Sequence, residues 1–316
     1  MSRFKVVVTD QVFPDVEIER QVLGEVGGEL EVAAGTREDV LARAPGADAL
    51  LNTYLPIDRD LIARLQRCRI VARYGIGVDN VDLIAAQEVG IVVTNVPDYC
   101  VEEVAAHTLA LLLSLLRRLP QADAAVRAAA WGTAPVRPIH RLSGLAIGLV
   151  GYGRIARRLS DSLRVLGCRI LVHDPYITPS EDGPALVSLE ELLRSSDAVS
   201  LHAPLTPETR GLIGAPQLEL MPEHAVLVNT SRGPLVILED LLGALRAGRI
   251  RGAGLDVFEK EPVNAEALRD VPGLLATPHM AYYSEEAIRE SQRKAAMQVV
   301  KVLRGEPPDY PVTQWH

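Results

Sequence analysis

The chain has 316 residues, a length that favours two domains and a sizeable buried core. Apolar residues make up 48% of it and aromatics 4%, so Ala, Leu, Val and Ile must build that core, as is common in α/β proteins. The net charge is −8 and the basic residues cluster only in pairs such as Arg117–Arg118 and Arg157–Arg158, which removes the electrostatic basis for nucleic acid binding.

From the amino terminus, Phe4-Lys5-Val6-Val7-Val8 reads as a strand and not as a signal peptide. Further strands are expected near Leu30–Ala33, Ala49–Asn52, Ile70–Arg73 and Ile91–Thr94, with helical stretches between them. Asn95-Val96-Pro97-Asp98 breaks the chain before a long helix from about Val101 to Leu119. Its apolar run, Val104 to Leu116, is interrupted by His107 and Ser114 and falls short of the roughly 20 residues of a membrane span. A second strand–helix alternation uses Leu145–Val150, Arg169–Val172, Ala198–Leu201, Ala225–Asn229 and Gly252–Leu255. Ser284 is the N-cap of a last long helix with Glu285 and Glu286 in its first turn; Gly305 and Pro307-Pro308 stop it.

The expected fold is therefore α/β: two doubly wound parallel-sheet, Rossmann-like lobes joined by two long helices. A ligand would sit between the lobes, beyond the carboxyl ends of the strands. Cys68, Cys100 and Cys168 are scattered, odd in number and without metal-ligand spacing. They read as reduced thiols of a cytoplasmic protein that holds no metal.

Leu145 to Ala156 runs as a buried strand, a glycine turn and a helix start. Gly151-x-Gly153-x-x-Ala156 fits the dinucleotide fingerprint: a tight turn, a close backbone approach to a pyrophosphate, and close helix packing. The helix that opens at Arg154 and Ile155 would turn its unpaired N–H groups to the phosphates. Asp174 ends the next strand, 18 residues past Ala156, where a carboxylate accepts from ribose hydroxyls and repels a 2′-phosphate. The expected cofactor is NAD.

Three more groups follow strand-like runs: Arg232 after Leu227 to Ser231, Glu261 after Gly254 to Phe258, and His279 after Leu274 to Pro278. Oxidising a secondary alcohol needs a base for the hydroxyl proton, and histidine suits both directions of that transfer. A carboxylate fixes the tautomer of the ring, and arginine binds a planar carboxylate through its fork of donors. Spacing alone does not bring the three together.

The motifs that carry a resemblance are Arg73 to Asp82, Gly148 to Ala156, Asn229-Thr230-Ser231-Arg232-Gly233, Asp256-Val257-Phe258-Glu259-Lys260-Glu261-Pro262 and Thr277-Pro278-His279. Over nearly its whole length the chain resembles the D-isomer-specific 2-hydroxyacid dehydrogenases. The resemblance implies NAD-dependent hydride transfer to or from C2 of a small D-2-hydroxy/2-oxo acid. It implies that His279 is the acid/base, that Glu261 rather than Glu259 is its partner, and that Arg232 binds the substrate carboxylate and carbonyl. Backbone N–H groups of Tyr74, Gly75, Ile76 and Gly77 would receive the substrate carboxylate. Arg154, Thr108, Thr230 and Asp256 would touch the cofactor, and His202 would lie near its adenosine side or serve only as a strand-end residue. Residues 1–100 with 288–316 would form the substrate lobe and 101–287 the NAD lobe, the long helices acting as hinges in a homodimer.

After the histidine, Met280-Ala281-Tyr282-Tyr283 resembles the C-terminal-binding-protein branch and some D-lactate dehydrogenases, although that branch often has Trp where Tyr282 stands. An aromatic there favours an apolar side chain on the substrate; the alternative is an ordinary packing tyrosine. Arg73 precedes the glycine loop as it does in the C-terminal-binding-protein and D-3-phosphoglycerate dehydrogenase branches, and would supply a second anion contact. Two other functions therefore stand beside the leading one: D-3-phosphoglycerate dehydrogenase, and an NADH-sensing co-repressor of the C-terminal-binding-protein type.

Overall fold

The strand runs rich in Val, Leu and Ile are buried on both faces, the pattern of parallel sheets covered by helices on either side. In the computed structural model, which describes residues 4–178 and 183–314, the chain divides into two units. The first is Met1–Tyr99 with Ser284–His316, and the second is Cys100–Tyr283.

In the first unit, β1 (Phe4–Val8), β2 (Gly28–Val32), β3 (Ala49–Asn52), β4 (Ile70–Arg73) and β5 (Val92–Thr94) form a parallel sheet in the order β2-β1-β3-β4-β5. The connecting helices are α1 (Glu17–Gly24), α2 (Arg37–Arg43), α3 (Arg59–Ile62) and α4 (Leu83–Glu88). The last three are capped by Thr36, Asp58 and Asp82, each side chain accepting from an amide of the first turn.

The second unit opens with α5 (Val101–Leu116) and α6 (Leu119–Arg127). Then come β6 (Ala146–Val150), α7 (Arg154–Val165), β7 (Arg169–His173), β8 (Ala185–Leu186), α8 (Leu189–Ser195), β9 (Ala198–Leu201) and α9 (Ala215–Leu218). It closes with β10 (Val226–Asn229), α10 (Leu238–Arg246), β11 (Gly252–Leu255), α11 (Ala265–Leu268) and β12 (Leu274–Ala276). The strands form a parallel sheet in the order β12-β11-β10-β9-β6-β7-β8. The chain leaves β6 toward β7 on one side and returns to β9 on the other, so the switch point of the sheet lies between β6 and β9. The last helix, α12 (Glu285–Arg304), belongs to the first unit; the Ser284 hydroxyl accepts from the Ala287 amide, and Gly305 ends it at φ 81°.

The long helix expected from Val101 to about Leu119 ends at Leu116, and a second helix, α6, starts at Leu119. Arg118 adopts φ 55°, and Pro120 in the first turn of α6 has no N–H to continue the α5 ladder. The two-residue β8 was not foreseen, because it is too short for any alternation to show. The three cysteines are buried and form no disulfide among the described residues.

Candidate active site

β6 is buried along its whole length and delivers the chain into Gly151. Gly151 takes φ +88°, and a Cβ there would lie 2.8 Å from the carbonyl carbon of His202 and 2.9 Å from the Ala203 nitrogen. Only glycine therefore allows β6 and the end of β9 to approach so closely at the switch point. The next amide, on Tyr152, donates to the Asp174 Oδ2 at 2.8 Å, and the Tyr176 amide donates to Oδ1 at 2.9 Å. The glycine turn and the acid that follows β7 are thus one hydrogen-bonded unit.

Gly153 is the N-cap of α7 and offers no side-chain cap; a Cβ on it would meet nothing within 4 Å. Arg154 and Ile155 begin the helix with first-turn N–H groups that have no partner within it. An open approach, an uncapped helix end and a fixed carboxylate beside them suit a dinucleotide: phosphates at the helix, ribose at Asp174. His202 closes the rim. Its Nε2 lies 2.9 Å from the Ser200 hydroxyl, and burial pushes its pKa down to about 4, so the ring is neutral at physiological pH.

Beyond β11 and β12 the loops converge on Asp256. Its carboxylate has no exposed surface and accepts from the Thr277 hydroxyl at 2.5 Å and from the Met280 and Ala281 amides, each at 2.9 Å. The Asp256 carbonyl accepts from the His279 amide at 2.8 Å. Held this way, His279 adopts φ +52°, a left-handed backbone that costs a non-glycine residue on the order of 1–3 kcal/mol. The side chain is thereby turned toward Glu261, where Nδ1 lies 2.7 Å from Oε2. The second oxygen of Glu261 accepts from the Phe258 amide at 2.9 Å. Burial pushes the Glu261 carboxyl up, but its hydrogen bonds from His279 and the Phe258 amide prevail and hold it below the usual range. Glu259 is turned away, accepting from the Leu238 amide at 3.4 Å. The Tyr282 ring stands edge-on to the imidazole at 6.1 Å.

Arg232 follows β10 and is fixed through its main chain: its carbonyl accepts from the Asn229 side-chain amide at 2.8 Å. Its Nη1 donates to the Ser231 carbonyl at 2.8 Å. Gly233 next to it has no room for a Cβ, which would overlap the carbonyl carbon and oxygen of Phe258. The Arg232 turn therefore presses directly on the loop that carries Glu261.

In the first unit, the loop after β4 has its carbonyls tied back. The Tyr74 carbonyl accepts from the Ser291 hydroxyl at 2.6 Å, Gly75 from the Val96 amide at 3.1 Å, and Ile76 from the Asn95 side chain at 2.6 Å. Among the described residues, the amides of Gly75, Ile76 and Gly77 donate to no protein acceptor. Such amides remain available to an anion. The Arg73 guanidinium lies against Gly75, and its Nε donates to Asn80 Oδ1 at 2.6 Å.

A family model of the D-isomer specific 2-hydroxyacid dehydrogenase NAD binding domain matches residues 109–281, more than half the chain. A D-3-phosphoglycerate dehydrogenase of Methanocaldococcus jannaschii is 39% identical over 309 residues, covering 96% of this chain and 58% of that protein. A glyoxylate reductase of Aeropyrum pernix is 38% identical over 319 residues, covering 98% of this chain and 95% of the relative. The chain belongs to the D-isomer-specific 2-hydroxyacid dehydrogenase family. Among solved structures, the TT0316 protein of Thermus thermophilus superposes on this dehydrogenase-family chain with a TM-score of 0.89 at 38% identity, covering 98% of this chain and all of that one. Against the phosphoglycerate dehydrogenases it matches, the chain spans less than two thirds of their length.

Three residues expected to touch ligands in this family member also have partners within the protein. Thr108 on α5 has no exposed surface; its hydroxyl donates to the Val104 carbonyl and lies 2.7 Å from the Thr230 hydroxyl, so it supports Thr230 from behind. Asp256 spends its carboxylate on the His279 loop. Tyr74 gives its amide to the Asn52 carbonyl at 3.0 Å and its buried hydroxyl to Glu19 at 2.8 Å, so the run of unpartnered amides begins at Gly75. Sequence reading also passed over His107. Its Nε2 lies 3.0 Å from the Thr277 hydroxyl and 3.7 Å from Asp256 Oδ1, bracing the same loop. The one signal it gave was a polar ring inside an apolar helix run. Among the described residues no group of His, Cys, Asp and Glu is arranged to hold a metal, and no helix is long and apolar enough to cross a membrane.

Proposed function

We propose that this chain is an NAD-dependent oxidoreductase that interconverts a small D-2-hydroxy acid and the corresponding 2-oxo acid. The observation that carries the reading is the His279–Glu261 pair at 2.7 Å, set on the same carboxyl edge of the sheet as the Gly151–Asp174 cradle. NAD would be held by Gly151, Gly153, the α7 terminus, Asp174 and Thr230, and it supplies the hydride acceptor or, reduced, the donor.

His279 takes the hydroxyl proton in oxidation and returns it to the carbonyl oxygen in reduction. With Nδ1 on Glu261, proton exchange falls to Nε2, and the Glu261 carboxylate stabilises the imidazolium between the two events. Arg232 binds the substrate carboxylate and polarises the carbonyl. The Gly75–Gly77 amides of the first unit, taken as the substrate lobe, supply further anion contacts. The Tyr282 ring, edge-on to His279, favours a substrate with a small or apolar side chain.

D-3-phosphoglycerate oxidation is the second reading; the Methanocaldococcus relative and the Arg73 charge beside Gly75 favour it. We also propose a cytoplasmic setting, supported by three buried cysteines that form no disulfide among the described residues, and a homodimer, supported by the exposed Leu119, Val126 and Trp131 on and after α6. NADH oxidation followed with glyoxylate, pyruvate, longer apolar 2-oxo acids and phosphohydroxypyruvate tests the proposal. Turnover of a small unphosphorylated acid is the expected result, and dominant turnover of phosphohydroxypyruvate selects the second reading. NADH binding without turnover of any acid overturns both and leaves a sensor of the C-terminal-binding-protein type.

A further inference from the structure

The first unit ties three consecutive peptides of the loop after β4 by their carbonyls, and the donors come from two other segments. Ser291, buried on α12, gives its hydroxyl to the Tyr74 carbonyl at 2.6 Å. After β5, the Val96 amide donates to the Gly75 carbonyl at 3.1 Å and the Asn95 side-chain amide to the Ile76 carbonyl at 2.6 Å. Asn95 is itself anchored by the segment that follows α12. Its amide donates to the Tyr310 carbonyl at 3.4 Å, and Thr94 beside it pairs antiparallel with Pro311. The Val312 amide donates to the Val93 carbonyl and the Val93 amide to the Thr313 hydroxyl, each at 2.8 Å, so this segment lies along β5 and fixes its end. All of these residues belong to one unit.

A peptide is planar and trans, so its N–H points away from its own C=O. The Tyr74 carbonyl shares a peptide with the Gly75 amide, and the Ile76 carbonyl with the Gly77 amide. Fixing each carbonyl therefore fixes the direction of the amide that follows. An accepted hydrogen bond also polarises the peptide and makes its N–H a stronger donor. A loop held only for stability would gain as much from pairing its amides as its carbonyls. Among the described residues, these three peptides pair their carbonyls and none of their amides, and Gly75, Ile76 and Gly77 are all partly exposed. The Arg73 guanidinium adds positive charge beside them, in the space a Cβ on Gly75 would need. We propose, resting on the 2-oxo acid reading above, that Ser291 and Asn95 are positioning residues for the substrate carboxylate. Ser291 sets the Gly75 amide and Asn95 the Gly77 amide, each through one peptide of the loop.

The test is ¹⁵N–¹H spectroscopy of the full, NADH-saturated chain titrated with oxamate, a 2-oxo acid analogue that hydride does not reduce. In the wild type the Gly75, Ile76 and Gly77 amide resonances should move as oxamate saturates, a readout that needs no variant and no turnover. In Ser291→Ala the Gly75 shift should shrink while the Gly77 shift is kept. In Asn95→Leu, of similar size but with neither donor nor charge, the reverse should hold. Ser291→Cys, with a weaker donor of nearly equal size, replaces Ser291→Ala if that variant does not fold. With a 2-oxo acid that the wild type reduces, each variant should raise KM by about fivefold or more, and by more than it lowers kcat, with NADH affinity unchanged. Unmoved amides in the wild type overturn the proposal. So does an equal loss of all three shifts in both variants, which would mean a general loosening of the loop, or an unchanged KM in both. A wild type that reduces no acid counts against the function alone, and the amide shifts still decide what Ser291 and Asn95 do.

Discussion

His279 meets Glu261 only because Asp256 holds the backbone of the histidine loop in a left-handed turn. The imidazole and the carboxylate come from different loops, 18 residues apart, and touch at 2.7 Å. Asp256 is the buried fixture to which the histidine loop is bonded.

That pairing sets the first prediction. His279→Ala should lower kcat by about 10²–10⁴-fold, the range for loss of a general acid/base, while NADH affinity stays near the wild-type value. Glu261→Gln should give a smaller loss and alter the acid side of the pH profile. Because Glu261 is held below the usual carboxylate range, its contribution is complete above that range and disappears as pH falls through the lowered value. Steady-state kinetics across pH check both variants; wild-type turnover in His279→Ala would exclude the ring from proton transfer.

Gly233 supplies the second. A methyl group there overlaps the Phe258 carbonyl, so Gly233→Ala must push the Arg232 turn away from the Glu261 loop. The expected cost is roughly 1–3 kcal/mol in stability, with a raised KM for the acid because Arg232 moves with the turn. Urea denaturation and substrate titration measure the two effects, and an unchanged denaturation midpoint would show that the loops part without strain.

The third concerns the coenzyme. Asp174 is pinned by the Tyr152 and Tyr176 amides, and its charge opposes a 2′-phosphate. Asp174→Ala should erode the preference for NADH over NADPH by about tenfold or more, since one lost charge interaction is worth on the order of 1.4 kcal/mol. Titration with both coenzymes decides it; unaltered selectivity would place the discrimination elsewhere.

A fourth prediction lies in the first unit. Glu19 is fully buried and accepts from the Tyr74 hydroxyl at 2.8 Å and from Gln292 Nε2 at 3.1 Å. Burial pushes its pKa up, and the bonds from Tyr74 and Gln292 only partly oppose that. A raised carboxyl stabilises the fold below the ordinary carboxylate value and loses that contribution as pH rises through the raised value. Glu19→Gln should flatten this part of the stability curve, since Gln292 can turn its amide oxygen to the new donor. Glu19→Ala should loosen Tyr74 and raise KM for the acid more than it lowers kcat. Denaturation midpoints from pH 4 to 7, with a KM–kcat comparison, test the pair; identical pH curves for wild type and Glu19→Gln would refute the linkage.

The amino-acid order determined the local pieces. Alternating β-branched and helical runs specify two parallel sheets, because strands buried on both faces must be uniformly apolar and their crossovers amphipathic. Gly151, Gly153 and Asp174 were legible because a dinucleotide turn imposes short-range demands on adjacent residues, and Ser284 and Gly305 because caps act within one helical turn. What depends on separation along the chain was decided by folding alone. The break at Arg118 came from one left-handed residue ahead of Pro120. The burial of Thr108, the closure of the His279 loop around Asp256 with His107 behind it, and the hydrogen bond from Tyr74 to Glu19 each join residues on different elements. No local periodicity encodes such contacts; they exist because close packing brings polar groups out of water, where each must find a partner.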